Sequence, residues 1–162
     1  MSFKITKILP QEVVSVMEAL ETIANETSYL MISSKELANK DRINQCAIGI
    51  ENGALEGFKA AKGDEIIGTI LLTQGELKTN KHVGWLVIAV AKKYRKKGIA
   101  KDLMETVLNS TKKELILVDC YTENTTSILL AKSFGFKELG RIPSYLKNEG
   151  VNHDVVMLGK EL

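Results

Sequence analysis

Cysteine and histidine are scarce in this chain of 162 residues, with two of each. Cys46 and Cys120 are too few for a disulfide framework and show no metal-ligand spacing. With His82 and His153 the only histidines, no metal site is expected, and the thiols read as packing groups in a reduced compartment. No apolar run approaches the length of a membrane span, and the first residues lack the apolar core of a secretion signal. The expectation is a cytoplasmic protein with no membrane attachment. Charge of one sign is not in excess either. A net charge of +2 implies no general affinity for nucleic acid or anionic lipid. Repeats, low-complexity segments and an interdomain linker are all absent, which predicts one domain over residues 1–162.

What is present is a local concentration of positive charge. Six of the ten residues from Lys92 to Lys101 are basic. Outside that run, 16 basic residues of the 22 face 20 acidic ones. Charge gathered in this way suits a compact anionic ligand better than a long polyanion. The run lies between the apolar stretch Val83 to Val90 and a helical pattern that begins at Ile99. A strand, a cationic turn containing glycine and then a helix form a phosphate-binding device. The turn aims backbone N–H groups inward, and the helix adds its positive N-terminal end.

The remaining elements follow from periodicity. Phe3 to Ile8 reads as a first strand. Pro10 opens a helix over about Gln11 to Ala24, with Val13, Val16, Met17 and Leu20 as its buried stripe. A second helix is predicted from Ser34 to about Ile50, capped by Ser34 and stopped near Asn52-Gly53. Gly57–Lys62 and Glu65–Thr73 form a hairpin about Gly63-Asp64. Ile99, Leu103 and Val107 define one row of a third helix, and Ala100, Met104 and Leu108 the next. Leu115 to Tyr121 is apolar enough for a central strand buried on both faces. Asn124 begins a fourth helix that ends at Phe134-Gly135-Phe136. Lys137–Ile142 and Val151–Leu158 complete the chain as strands across a loop. This order predicts an α/β protein with antiparallel hairpins early and late and parallel pairing in the middle.

Arg95-Lys96-Lys97-Gly98-Ile99-Ala100 fits the pattern Arg/Gln-x-x-Gly-x-Gly/Ala, and with Asn124 and Phe134-Gly135-Phe136 it resembles the GNAT superfamily of N-acetyltransferases. The resemblance covers most of the chain and is densest from Val83 to Phe136. It implies a mixed, mostly antiparallel sheet of about seven strands flanked by about four helices, its central parallel pair splayed for acetyl-coenzyme A. The coenzyme-binding residues it implies are Ile88, Ala89 and Val90 on the strand, then Arg95, Lys96, Lys97, Gly98, Ile99, Ala100 and Lys101 in the loop, with Asn124 beyond. The backbone near Lys97, Gly98, Ala100 and Lys101 would face the pyrophosphate. Arg95 and Lys101 would add charge, while Lys92, Lys93 and Lys96 read mainly as solvated. Ile88 and Val90 would pair through their backbone with the pantetheine arm, leaving the thioester near Ile88 and Tyr121. Asn124 reads both as a helix cap and as a coenzyme contact.

Proton transfer is where this sequence departs from the family. The stretch that often carries a glutamate reads Val83-Gly84-Trp85-Leu86, and a tyrosine of the fourth helix is replaced by Ala131. His82, placed on the strand face of Gly84, Tyr145 in the loop after the sixth strand, and Tyr121 are the candidate substitutes. Cys120 has no histidine partner in sequence and reads as a packing group rather than a nucleophile. The expected acceptor is an amine, on a small molecule or a protein N-terminus, contacted from about Glu26–Ser34 and Ile142–Asn152. Glu26, Tyr29, Tyr145, Glu149 and Asp154 are the positional candidates for its pocket. A homodimer stays open. Two other readings compete: a catalytically silent acyl-coenzyme A sensor, and a nucleic-acid contact at residues 92–101. The second is poorly served by a run whose one aromatic is Tyr94.

Overall fold

Apolar residues at helical spacing define Val13–Ala24 and Ile99–Ser110 in the computed structural model, which describes residues 2–162. Seven strands are present: β1 (Lys4–Lys7), β2 (Leu55–Lys62), β3 (Glu65–Gln74), β4 (Val83–Val90), β5 (Leu115–Tyr121), β6 (Lys137–Asn148) and β7 (Val151–Glu161). The α-helices are α1 (Val13–Ala24), α2 (Ser34–Leu37), α3 (Lys40–Asn52), α4 (Ile99–Ser110) and α5 (Thr125–Ser133). Strand order is β1-β2-β3-β4-β5-β7-β6, with β4 and β5 parallel and the other pairs antiparallel. The mixed seven-stranded sheet expected from the sequence is therefore found.

The helix count is five rather than about four, because the helix expected from Ser34 to Ile50 is broken at Asn39. Ser33, not Ser34, caps the first piece. Its hydroxyl accepts from the Glu36 N–H at 3.3 Å, and the Glu36 carboxylate accepts from the Ser33 N–H at 2.8 Å. Asn39 then takes an extended backbone and starts α3, its Oδ1 accepting from the N–H groups of Asp41 and Arg42. Two competing caps six residues apart outweigh the continuous helical pattern.

Contacts divide the chain into two compact units. The first takes in residues up to Thr73 together with Val87–Thr111. In it, Val13, Val16, Met17, Leu20 and Ile23 of α1 pack with Ile8, Leu37 and Ala89. α4 buries Ile99, Leu103, Met104 and Val107. Gly68 of β3 lets the chain pass close to this helix, since a Cβ there would meet Ala89 O, Ile99 Cγ2 and Val90 Cγ2, each at 3.2 Å. The first turn of α4 is thereby fixed against the end of β4.

The second unit holds Gln74–Leu86 and Lys112–Leu162. β5 is its centre. It pairs in parallel with Val83, Gly84 and Trp85 and antiparallel with β7 from Leu115↔Glu161 to Tyr121↔Val155. A tight turn at Glu149-Gly150, with φ of +48° and +82°, joins β6 to β7. β6 continues to Asn148 instead of ending at Ile142, and β7 runs on to Glu161. Pairing breaks between Ile142 and Leu146, where Pro143 has no N–H to give, and then resumes. Ser144, at φ +54°, donates its N–H to Asp154 Oδ1 at 2.8 Å and so holds the bulge in shape. Tyr145 thus belongs to an interrupted strand, not to a loop after it.

Candidate active site

In the first unit the chain leaves β4 at Val90, and Ala91 donates its N–H to Ile67 O at 3.0 Å. A single 3-10 turn, Lys92–Tyr94, follows. Tyr94 is buried beneath the basic run and donates its hydroxyl to Glu65 at 2.6 Å. Lys93 reaches the same carboxylate at 2.7 Å, and both Lys93 and Lys97 place their ammonium groups over the Tyr94 ring. The hydrogen bond from Lys93, followed by that from Tyr94, holds Glu65 below the usual carboxylate range. Glu26 accepts from the Lys92 N–H at 2.7 Å. Lys93, expected to be solvated, is therefore paired, and the Lys97 ammonium is turned onto Lys93 O. These contacts neutralise part of the run and fix the rest in place.

The turn itself carries two left-handed residues, Lys96 at φ +59° and Gly98 at φ +86°. Arg95 braces it by donating Nε–H to Val90 O at 3.0 Å, which leaves its terminal nitrogens available. Gly98 is the N-cap of α4 and offers no side-chain cap. Asp102 donates the first helical bond, to Gly98 O, so the N–H groups of Ile99, Ala100 and Lys101 precede the intrahelical ladder. A Cβ on Gly98 would meet nothing within 4 Å, so the space before these donors is open. Among the described residues the Lys96 and Lys101 side chains have no hydrogen-bond or ion-pair partner. Left-handed backbone, uncapped donors, a positive helix end and spare cations fit a diphosphate. Ile99 contributes backbone only, because its side chain is buried in the core.

The other candidates lie in the second unit. Tyr121 ends β5 and is buried, with the ring of His153 edge-on at 5.3 Å. Burial, and then the nearby Glu123 carboxylate, raise its phenol above the ordinary range. Asn124 donates its N–H to Tyr121 O at 2.9 Å and caps α5 by accepting from the Ser127 N–H at 3.3 Å. Tyr121 and Asn124 are thus brought together. Tyr145 is exposed, and among the described residues its side chain makes no hydrogen bond. His82 lies exposed in the turn before β4, so it shares no strand face with Gly84, and its carbonyl accepts from Glu114 and Leu115. Ala131 is almost fully buried in α5.

Cys120 is buried, and desolvation followed by the Asp119 charge pushes its thiol up to about 11. It is a thiol, not a thiolate, at neutral pH. Folded protein treated with iodoacetamide at pH 7.5 and then digested will therefore yield unmodified Cys120, whereas protein unfolded first will be labelled there. Rapid labelling of the folded chain at Cys120 would restore the nucleophile reading. Among the described residues no group of three or more His, Cys, Asp or Glu side chains is arranged to hold a metal ion. No helix among them is long and apolar enough to cross a membrane.

No local pattern marks His153, Glu123 or Glu65 in the sequence. Tyr94 carried a signal, as the single aromatic inside the basic run. The pairing of His153 with Glu123 spans 30 positions and left none.

Residues 17–136 match the profile of the acetyltransferase (GNAT) family. The chain belongs to this family. Solved structures agree in fold. A GNAT-family acetyltransferase from Streptococcus pneumoniae superposes with TM-score 0.83 at 20% identity, covering 99% of this chain and 100% of that one. YncA from Salmonella typhimurium, solved with its cofactor acetyl-CoA, gives 0.87 at 13% over 100% and 95%. A ribosomal-protein-alanine N-acetyltransferase from Brucella melitensis gives 0.85 at 18% over 98% and 99%. Comparison with curated proteins returns no match. Transfer of an acetyl group from acetyl-CoA is general to the GNAT family, and the turn about Gly98 lies inside the matched segment.

Proposed function

We propose that this GNAT protein is an N-acetyltransferase that moves the acetyl group of acetyl-CoA to a primary amine by direct attack, with both substrates bound together. The observation that carries the reading is the left-handed turn at Lys96 and Gly98, which opens the uncapped N-terminus of α4 to an anion. The N–H groups of Ile99, Ala100 and Lys101 hold the diphosphate, with the terminal nitrogens of Arg95 and the Lys101 ammonium neutralising it. Lys96, Lys97 and Gly98 supply the shape of the turn. Ile88, Ala89 and Val90 offer backbone groups to the pantetheine arm, and Asn124 offers the amide N–H₂ that its capping role leaves over. Bound acetyl-CoA supplies the acetyl group as an activated thioester.

The acceptor must be neutral to attack. For a lysine-like amine of pKa about 10.4 that costs roughly 4.6 kcal/mol at pH 7, so a proton acceptor in the protein or a water chain is needed. Coenzyme A at a hundredfold excess over its Kd stabilises by about 2.7 kcal/mol, which raises the melting temperature by roughly 5–11 °C for a chain of this size. That rise, followed by thiol release with acetyl-CoA over a panel of amines and peptide N-termini, tests the reading. No rise at millimolar coenzyme A overturns it. One observation favours a second reading, an acyl-coenzyme A sensor: buried Ala131 takes a position where many family members place a tyrosine acid. A strong melting shift with no turnover of any amine would select the sensor.

A further inference from the structure

We infer that His153 accepts the proton lost by the acceptor ammonium and that Glu123 positions its ring for this, an inference that rests on the acetyl-transfer reading. His153 Nδ1 stands 3.4 Å from Glu123 Oε1, and Tyr121 holds the ring edge-on at 5.3 Å and 75°. The His153 side chain is 26% exposed, so the ring is braced on two sides and open on another. An Nδ1–H donated to a carboxylate leaves Nε2 with its lone pair outward. Glu123 is the required acceptor, since its own backbone N–H, then His153 and Thr122, hold its carboxyl below the ordinary range.

Asp119 and Tyr121 alternate along β5 on one sheet face, and Asp119 Oδ1 is buried with no hydrogen-bond partner among the described residues. On β6 the residue opposite His153 is Leu146, while Lys147 pairs with Asn152 and so lies on the other face. Asp154, next in β7, already accepts from Ser144. Tyr145 stands exposed in the bulge beside Leu146. By register, the β6 and β5 residues on the sheet face of His153 include Leu146, Tyr121 and Asp119. His153 Nε2 takes one proton from the ammonium, and the freed nitrogen lone pair forms the C–N bond. The C–S bond breaks with its electron pair left on sulfur. The second amine proton reaches sulfur through water, and His153 returns its own proton to solvent.

Two histidines make the test direct. Long-range 1H–15N NMR, with His82→Gln to assign the signals, will show neutral His153 as the Nδ1–H tautomer, reverting to Nε2–H in Glu123→Ala. With acetyl-CoA and either spermidine or a peptide with a free N-terminal alanine as probe, His153→Gln will lower kcat/KM by about 10²-fold or more. Glu123→Gln, whose amide oxygen can still accept the Nδ1–H, will lower kcat/KM less than Glu123→Ala does. The coenzyme A melting shift will survive in both Gln variants. An Nε2–H tautomer in the wild type, or a His153→Gln rate within threefold of wild type, overturns the assignment while leaving acetyl transfer intact. No thiol release by the wild type itself would remove the acetyl-transfer reading, and this inference with it.

Discussion

In Gly98→Val, saturating coenzyme A will raise the melting temperature by no more than about 1–2 °C, against the roughly 5–11 °C expected of the wild type. Gly98 sits at φ +86° and ψ −13°, a conformation that costs an L-residue about 1–2 kcal/mol and a β-branched one more. Valine escapes by rotating the peptide, and the N–H groups of the following residues then turn away from the ligand position. Losing two charge-assisted hydrogen bonds at about 1.5–3 kcal/mol each weakens binding by roughly 10²–10⁴. In the unliganded fold the cost is backbone strain alone, because a Cβ at this position meets nothing within 4 Å. Gly98→Asn supplies the control, since asparagine tolerates left-handed backbone at modest cost. If the requirement is conformational, the asparagine variant will keep much of the shift. If it is bare space for the ligand, both variants will lose it. A full coenzyme A response in Gly98→Val would mean that the diphosphate is held elsewhere.

That turn was legible in the sequence because it is local. Strand, basic turn, glycine and helix stripe follow one another within 25 residues, and the chemistry can be read without knowing what lies across the fold. β5 was legible for a related reason: Leu115 to Tyr121 is apolar almost throughout, and the structure buries most of it. Elements failed where two local signals competed or where distant residues decided. Asn39 ends one helix and caps the next, which a continuous helical pattern conceals. The second half of β6 depends on Asp154 reaching back ten residues to hold Ser144. Support for the phosphate turn comes from Glu26 and Glu65, which lie 66 and 29 positions from their partners Lys92 and Tyr94. Each is an ordinary exposed glutamate until the fold places it. The pairing of His153 with Glu123 was hidden most completely. Gly84 and Ala131 fill positions where many family members carry a glutamate and a tyrosine, and nothing local marks His153 as different from His82.

Leu103→Ala separates stability from ligand binding within the same helix. Leu103 is fully buried, next to Ile99, Met104 and Val107 on the packed face of α4. Truncation removes its transfer energy and leaves a cavity in a unit that has little freedom to collapse, at a cost of about 2–5 kcal/mol. The melting temperature will fall by roughly 4–20 °C on the scale of a chain this long. The coenzyme A response should nonetheless persist at nearly the wild-type size. The turn is held from below by Tyr94 on Glu65 and from the side by Arg95 on Val90 O, and both braces come before the helix begins. Ile99→Ala is the informative companion, because Ile99 both fills the core and opens the helix. It should lower the melting temperature and the coenzyme A response together. Urea melts of the three proteins with and without coenzyme A would give both quantities. A Leu103→Ala variant that stays folded yet loses its coenzyme A response would show that helix packing, rather than the left-handed turn, presents the phosphate donors.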